Sequence, residues 1–424
     1  MRVPADVWVR LSSASAFMVP GLALWLPSGY SWGAVLLLLG TLASAPLWWR
    51  RPVGRSSWWL LACMAAMMGI WLLDVGLPLS AANFDRPLKY LLALPCVLYA
   101  MVFPPGLRWL WRGIFTGACG SGLIALYQTV VQGLPRATGY TNAIQYGNLS
   151  LLLGLMCATL LIVHWARWQL WQRQAWSVAV LLGCTGSLLS GTRGGWLALA
   201  VVLPVCAWLL VRRGQHRMLW RAGMVAVLAG AVLVAYKGAE LEQRVDEGVQ
   251  EALLYQQDGT SANSVGQRLA HWQLAWRMGT ERPWLGWGRM GYEQEKARSV
   301  AAGQAPESVL AFGHAHHEAL DLFAKHGLLG VLVLGFFYGV PLFLFWPYRQ
   351  RVLDADGTLD REALSLCLVG ILLPLSYLGF GLTQVFLAHN SGNMFYLFMC
   401  LLVHAALQAQ QRNRALVQSG APGL

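Results

Sequence analysis

Apolar runs of about 20 residues recur along most of the chain, and each is long enough to cross a bilayer as a helix. About twelve spans are predicted on this criterion, near 11–27, 31–49, 57–73, 87–103, 109–132, 147–164, 175–190, 195–211, 218–236, 319–347, 363–385 and 390–409. The connections between them alternate in charge. Those after even-numbered spans hold Arg50, Arg51 and Arg55; Arg108; Arg167 and Arg173; Arg212, Arg213, Arg217 and Arg221; and Arg349, Arg351 and Arg361. Arg412 and Arg414 follow the last span, whereas the short connections after odd-numbered spans are poor in basic residues. The positive-inside rule then puts both termini on the cytoplasmic side. The expected architecture is an all-α polytopic membrane protein with spans one to nine in 1–236, a large polar segment at 237–318 on the outer face, spans ten to twelve in 319–409, and a cytoplasmic tail at 410–424.

The polar segment has its own periodicity. Leu241, Val245, Val249 and Leu253 recur every four residues and predict an amphipathic helix. DGTSANS is a turn cluster, and Ser264 is placed to cap the next helix. On that helix Arg268, His271 and Trp272 share one face, because residues three and four apart are neighbours. Pro283 ends it. WLGWG reads as a tight aromatic–glycine turn, followed by Arg289, another short helix and the loop AGQAPES.

Composition agrees with the pattern. The 424 residues are 57% hydrophobic and 12% charged, about half the charge fraction of a soluble protein. Mean hydropathy is +0.49. The 22 tryptophans cluster near run ends, as an interfacial belt does. The net charge of +12 is explained by cytoplasmic arginines and needs no nucleic acid. Cys63, Cys96, Cys119, Cys157, Cys184, Cys206, Cys367 and Cys400 all lie in apolar runs with no CxxC pair, so they read as small core residues rather than a disulfide or zinc framework. Arg2 and Arg10 flank the first run, but no small-x-small cleavage site follows it, so it reads as a retained helix.

The densest candidate chemistry lies where the polar segment meets the tenth span, in FGHAHHEALDLFAKHGLLG. His314, His316 and His317 fall within four residues, and Glu318, Asp321, Lys325 and His326 follow. Histidine exchanges protons near neutral pH; the plainer alternative is a hydrated helix start. Arg193, in SGTRGGW, stands on the predicted outer face against the positive-inside trend. A guanidinium fork beside a helix N-terminus suits phosphate, and a snorkelling arginine is the alternative. Arg136, in PRATGYTNAIQYGN, and Arg268 are the other arginines there, each also explicable as a hydrated surface residue. HxH with Glu318 is a poorly specific metal pattern, and no P-loop, GxSxG or HExxH is present. A secondary transporter would place charges at mid-span, where this chain has almost none.

Three segments together, GTRGGW, then Arg268 to Trp272 with PWLGWG, then HAHHEALDLFAKHGLLG, resemble the O-antigen ligase and Wzy polymerase superfamily of bacterial inner-membrane enzymes. The family's last motif usually reads H-N-x-x-L; here His316 takes the histidine position, His317 the asparagine position and Leu320 the leucine. The resemblance implies a fold like the C-type glycosyltransferases, a periplasmic active site, a donor of O antigen on undecaprenyl diphosphate, and the lipid A–core as acceptor, both held among membrane lipids. It implies transfer without metal or other cofactor, with inversion. His316 would be the base, and Arg193 and Arg268 would hold the diphosphate. Arg136, His314, His317, His271, Trp272 and Arg289 would line the substrate site. An O-antigen polymerase or a protein O-oligosaccharyltransferase would use the same motifs.

Overall fold

The computed structural model describes residues 4–75, 81–221, 223, 224, 246, 250, 264–354 and 356–418. The predicted amphipathic helix at Leu241 to Leu253 and most of the ninth span lie outside these residues. In chain order the helices are α1 (Ala5–Leu22), α2 (Gly29–Ala43), α3 (Ala45–Trp48), α4 (Arg55–Leu73), α5 (Ala81–Val102), α6 (Leu107–Leu126), α7 (Ala143–His164), α8 (Leu170–Leu189), α9 (Leu197–Arg212), α10 (Ser264–Glu281), α11 (Gly288–Ala301), α12 (Glu318–Phe345), α13 (Arg349–Val352), α14 (Arg361–Gly381) and α15 (Asn390–Gln418). Among the described residues there is no strand, only an isolated bridge between Leu353 and Leu359.

Seven helical segments among the described residues are long and apolar enough to cross a membrane: α4, α6 with its π turn, α7, α9 with the turn before it, α12, α14 and α15. α2 is apolar but only 15 residues long. α1, α5 and α8 are long enough but more polar; α5 carries Asp85, Arg86 and Lys89 at its start. The predicted span 31–49 is two helices, α2 and α3, meeting at Ser44.

The order of burial identifies the centre. In α14 94% of the span is buried and in α15 89%, against 33% in α9. α14 and α15 are therefore the axis, and α2, α4 and α9 present Leu39, Leu42, Trp58, Trp59 and Leu203 outward. An apolar exterior is what a bilayer selects. With no hydrophobic drive between helices in lipid, small residues set the approach. A Cβ on Gly183 of α8 would lie 2.7 Å from the Cα of Gly154 in α7, and one on Gly113 of α6 2.5 Å from the Phe17 carbonyl of α1.

α12 is not continuous. Gly327 has φ 61° and ψ −153° inside it. The break frees amides that an apolar setting would leave unpaired, at a cost of several kcal/mol each. The turn after α10 supplies acceptors. Leu328 N–H donates to the Pro283 carbonyl (2.7 Å) and Leu329 N–H to that of Trp284 (3.3 Å), while Trp287 N–H donates back to Ala324 (3.0 Å). Contact is so close that a Cβ on Gly327 would sit 2.4 Å from the Trp284 carbonyl carbon. PWLGWG is thus a plug in a helix break.

Candidate functional site: a histidine cluster facing two arginine-bearing elements

The histidine loop is strapped down from two sides. On α12, Asp321 accepts the Ala315 N–H through Oδ1 (2.9 Å). Its Oδ2 accepts from Lys325 Nζ (2.8 Å), which also donates to the Gly313 carbonyl (2.9 Å). From α11, Lys296, fully buried, donates to the Phe312 carbonyl (2.7 Å) and pairs with Glu293 (2.7 Å). His317 caps α12, its Nδ1 accepting the Leu320 N–H at 3.3 Å. Glu318, Asp321, Lys325 and His326 are all buried, so the hydrated helix start is not what forms. His326 Nε2 lies 3.2 Å from Asp74 Oδ1, at the end of α4.

Within the loop His316 holds φ 53°, a left-handed conformation uncommon outside glycine. Non-glycine residues held there cluster at functional sites. Its ring packs edge-on against Phe312 (4.5 Å between centroids), His314 (4.4 Å) and His271 (5.3 Å). His316 Nδ1 lies 3.1 Å from Gln384 Oε1. The far end of that carboxamide, Nε2, lies 3.3 Å from His389 Nε2.

The face predicted for α10 forms. His271 and Trp272 meet His316 and His317 respectively, the latter pair at 5.6 Å, and the positive field of Arg268 reaches His316. Both His271 ring nitrogens and the Trp272 indole nitrogen are buried with no hydrogen-bond partner. Burial pushes His271 down to about 4, with His316 and Lys296 adding to it, and pushes His314 down to about 3. His316 and His317 are also lowered, by burial first, with Gln384 opposing the shift at His316.

The arginine turns close the same end of the bundle. α6 ends in a π turn, Tyr127–Val131, which buries Gln128. Gln128 Oε1 accepts the Thr138 and Gly139 amides (2.9 Å each), shaping the loop that holds Arg136. Arg136 Nε then donates to the Ser190 carbonyl (2.7 Å), tying that loop to the one carrying Arg193. Arg193 is exposed, at the N-cap of the 3-10 turn Gly194–Trp196 that leads into α9. A Cβ on Gly194 would lie 2.1 Å from Thr383 Oγ1, so this turn abuts the corner whose next residue, Gln384, holds His316. Arg289 bonds Asn83 of α5 (3.1 Å).

Gln384, His389, Lys296 and Arg86 were not singled out by the sequence pattern. Arg86 lies over Trp71 (4.4 Å); burial lowers His389, and the Arg86 charge adds to it. Gln384 reaches His316, and Lys296 the Phe312 carbonyl, only through the fold, and periodicity carries no signal for such contacts.

Fold and site together define a multi-pass, all-helical membrane protein with a buried histidine cluster and cationic turns at one end. Residues 178–335, which hold the Arg193 turn, α10 and the histidine loop, match the family model described as O-Antigen ligase. The chain is also 25% identical over 384 residues to an uncharacterized protein of Haemophilus influenzae, an alignment covering 90% of this chain and 94% of that one.

Proposed function

We propose that the protein is an O-antigen ligase of the bacterial inner membrane, transferring a glycan from undecaprenyl diphosphate to a hydroxyl of the lipid A–core at the periplasmic face. The reading includes twelve spans with both termini cytoplasmic and 237–318 as the periplasmic loop. The observation that carries it is the single end of the bundle on which Arg193, Arg136, Arg268 and His316 converge. A diphosphate leaving group develops charge that fixed cations stabilise. Arg193 is exposed and no described residue bonds its guanidinium, so it is available to an anion. Arg268 acts from the other side.

In the transfer, a lone pair of the acceptor oxygen attacks the anomeric carbon from the face opposite the diphosphate. The new C–O bond forms as the sugar–phosphate C–O bond breaks, its electron pair staying on the diphosphate. The hydroxyl proton goes to His316, and the anomeric configuration inverts. A base must be neutral to accept that proton, and burial keeps His316 below its ordinary value, hence neutral at physiological pH.

Two measurements test this. In cells, gene deletion should remove all O antigen from the core and leave lipid-linked polymer; a core bearing one repeat would instead mark a polymerase. With purified protein and EDTA, His316→Ala should lose about 10²–10⁴-fold in turnover and still bind the donor. Full turnover in that variant would end the base assignment, and loss of wild-type turnover with EDTA would point to a metal.

A further inference from the structure

Gln384 is 4% exposed and its carboxamide lies between two imidazoles. A carboxamide has one accepting end and one donating end. Oε1 faces His316 Nδ1 at 3.1 Å, so that nitrogen carries the hydrogen. Nε2 faces His389 Nε2 at 3.3 Å, so that nitrogen carries none. The corner bearing Gln384 is itself held. Glu318 Oε2 accepts the amides of Phe386 (2.5 Å) and Leu387 (3.1 Å), and Thr383 is pressed against Gly194.

We propose that Gln384 is a positioning residue for the transfer reaction, locking His316 in the Nδ1–H tautomer so that Nε2 is the atom that takes the acceptor proton. The inference rests on His316 as the base. Gln384 acts through His316 and does not touch the substrate. Once Nε2 is protonated the ring carries hydrogen on both nitrogens, and Oε1 goes on accepting from Nδ1–H as positive charge develops. A hydrogen-bonded orienting group is how a histidine's tautomer is fixed elsewhere in chemistry of this kind.

Variants separate orientation from packing. Gln384→Leu removes the acceptor at similar volume and should lower kcat about 10–100-fold, the usual cost of losing an orienting partner, with KM for the donor unchanged. Gln384→Glu restores an acceptor and adds a negative charge beside the ring. It should recover most of kcat and move the acid limb of the rate profile to higher pH. The other groups facing His316 are Arg268 and His271 from α10, His314 from its own loop, Asp321 from α12 and His389 from the α14–α15 turn, and these remain in place in both variants.

The tautomer can be read without turnover. Full-length protein in nanodiscs, with nitrogen-15 histidine and the His316 signal assigned by difference against His316→Gln, should show hydrogen on Nδ1 and a bare Nε2. Gln384→Leu should show a mixture. A wild-type signal with hydrogen on Nε2 would overturn the proposal, as would unchanged kcat in Gln384→Leu or an equal loss in the Leu and Glu variants. Failure of the base assignment is distinct: it appears as full turnover in His316→Ala, whatever the tautomer.

Discussion

Arg193 and His316 make different demands at the residue scale. Arg193 stands exposed on a turn fixed by Arg136 and by the Thr383 contact. Arg193→Ala should raise the barrier by about 2–4 kcal/mol, as loss of one charge-stabilising donor does. Arg193→Lys should recover part, because an ammonium gives a point charge where a guanidinium gives a fork. Turnover of the inserted protein measures both; near-wild-type rates in the alanine variant would remove the diphosphate role. For His316 the sign of the pH effect follows from its lowered pKa. On the proposed base role the neutral form is the active one, so the rate should be full near neutrality and fall only as pH drops through the lowered folded value. His271 and His314 add a stability effect. Their folded values of about 4 and about 3 lie below 6.5, so the unfolded chain takes up protons first as pH falls. Their contribution is complete above 6.5 and is lost as pH falls toward 4 and 3. Hydrogen exchange should show 264–281 and 312–317 losing protection over that window and not above it. The three histidines and the arginines were legible because clustering and misplaced charge are sequence-local. Gln384 was not, because only folding brings the α14–α15 corner to the loop.

At the scale of elements, the helix break at Gly327 was hidden in the sequence. The run 319–347 reads as one span, since glycine is ordinary in membrane helices and the period is unbroken. The aromatic–glycine turn was visible as a turn, but not as the partner of that break. Gly327→Ala tests the pairing. The positive φ and the 2.4 Å approach to Trp284 both exclude a Cβ. The cost should be at least about 1–3 kcal/mol, read as a lower unfolding temperature in detergent. Gly335→Ala, with nothing within 4 Å of an added Cβ on the same helix, should leave that temperature unchanged. Equal behaviour of the two variants would mean that the break does not form.

Orientation belongs to the whole molecule. The arginine-rich connections and the histidine end lie at opposite ends of the helices, so one labelling experiment decides which faces out. With Cys119 and Cys184, the two half-buried thiols, replaced by serine, a cysteine at exposed Ala302 should react with an impermeant reagent from the periplasm, and one at exposed Arg217 should not. The reverse pattern would overturn the proposed topology. The alternation of charge was legible because it is one-dimensional. The helix order around α14 and α15 was not, since apolar runs that face lipid and runs that face protein look alike when lipid is as apolar as a core.

The plug at Gly327 also governs how such proteins can be recombined. The acceptor carbonyls of Pro283 and Trp284 and the amides of Leu328 and Leu329 sit on opposite sides of the histidine loop. A graft of 264–311 from a relative would import one half of this joint and keep the resident half. Any mismatch in the turn would leave bare amides inside the span. The heritable module is therefore the whole of 264–329, and chimeras with crossovers at its two edges are the ones expected to insert and fold.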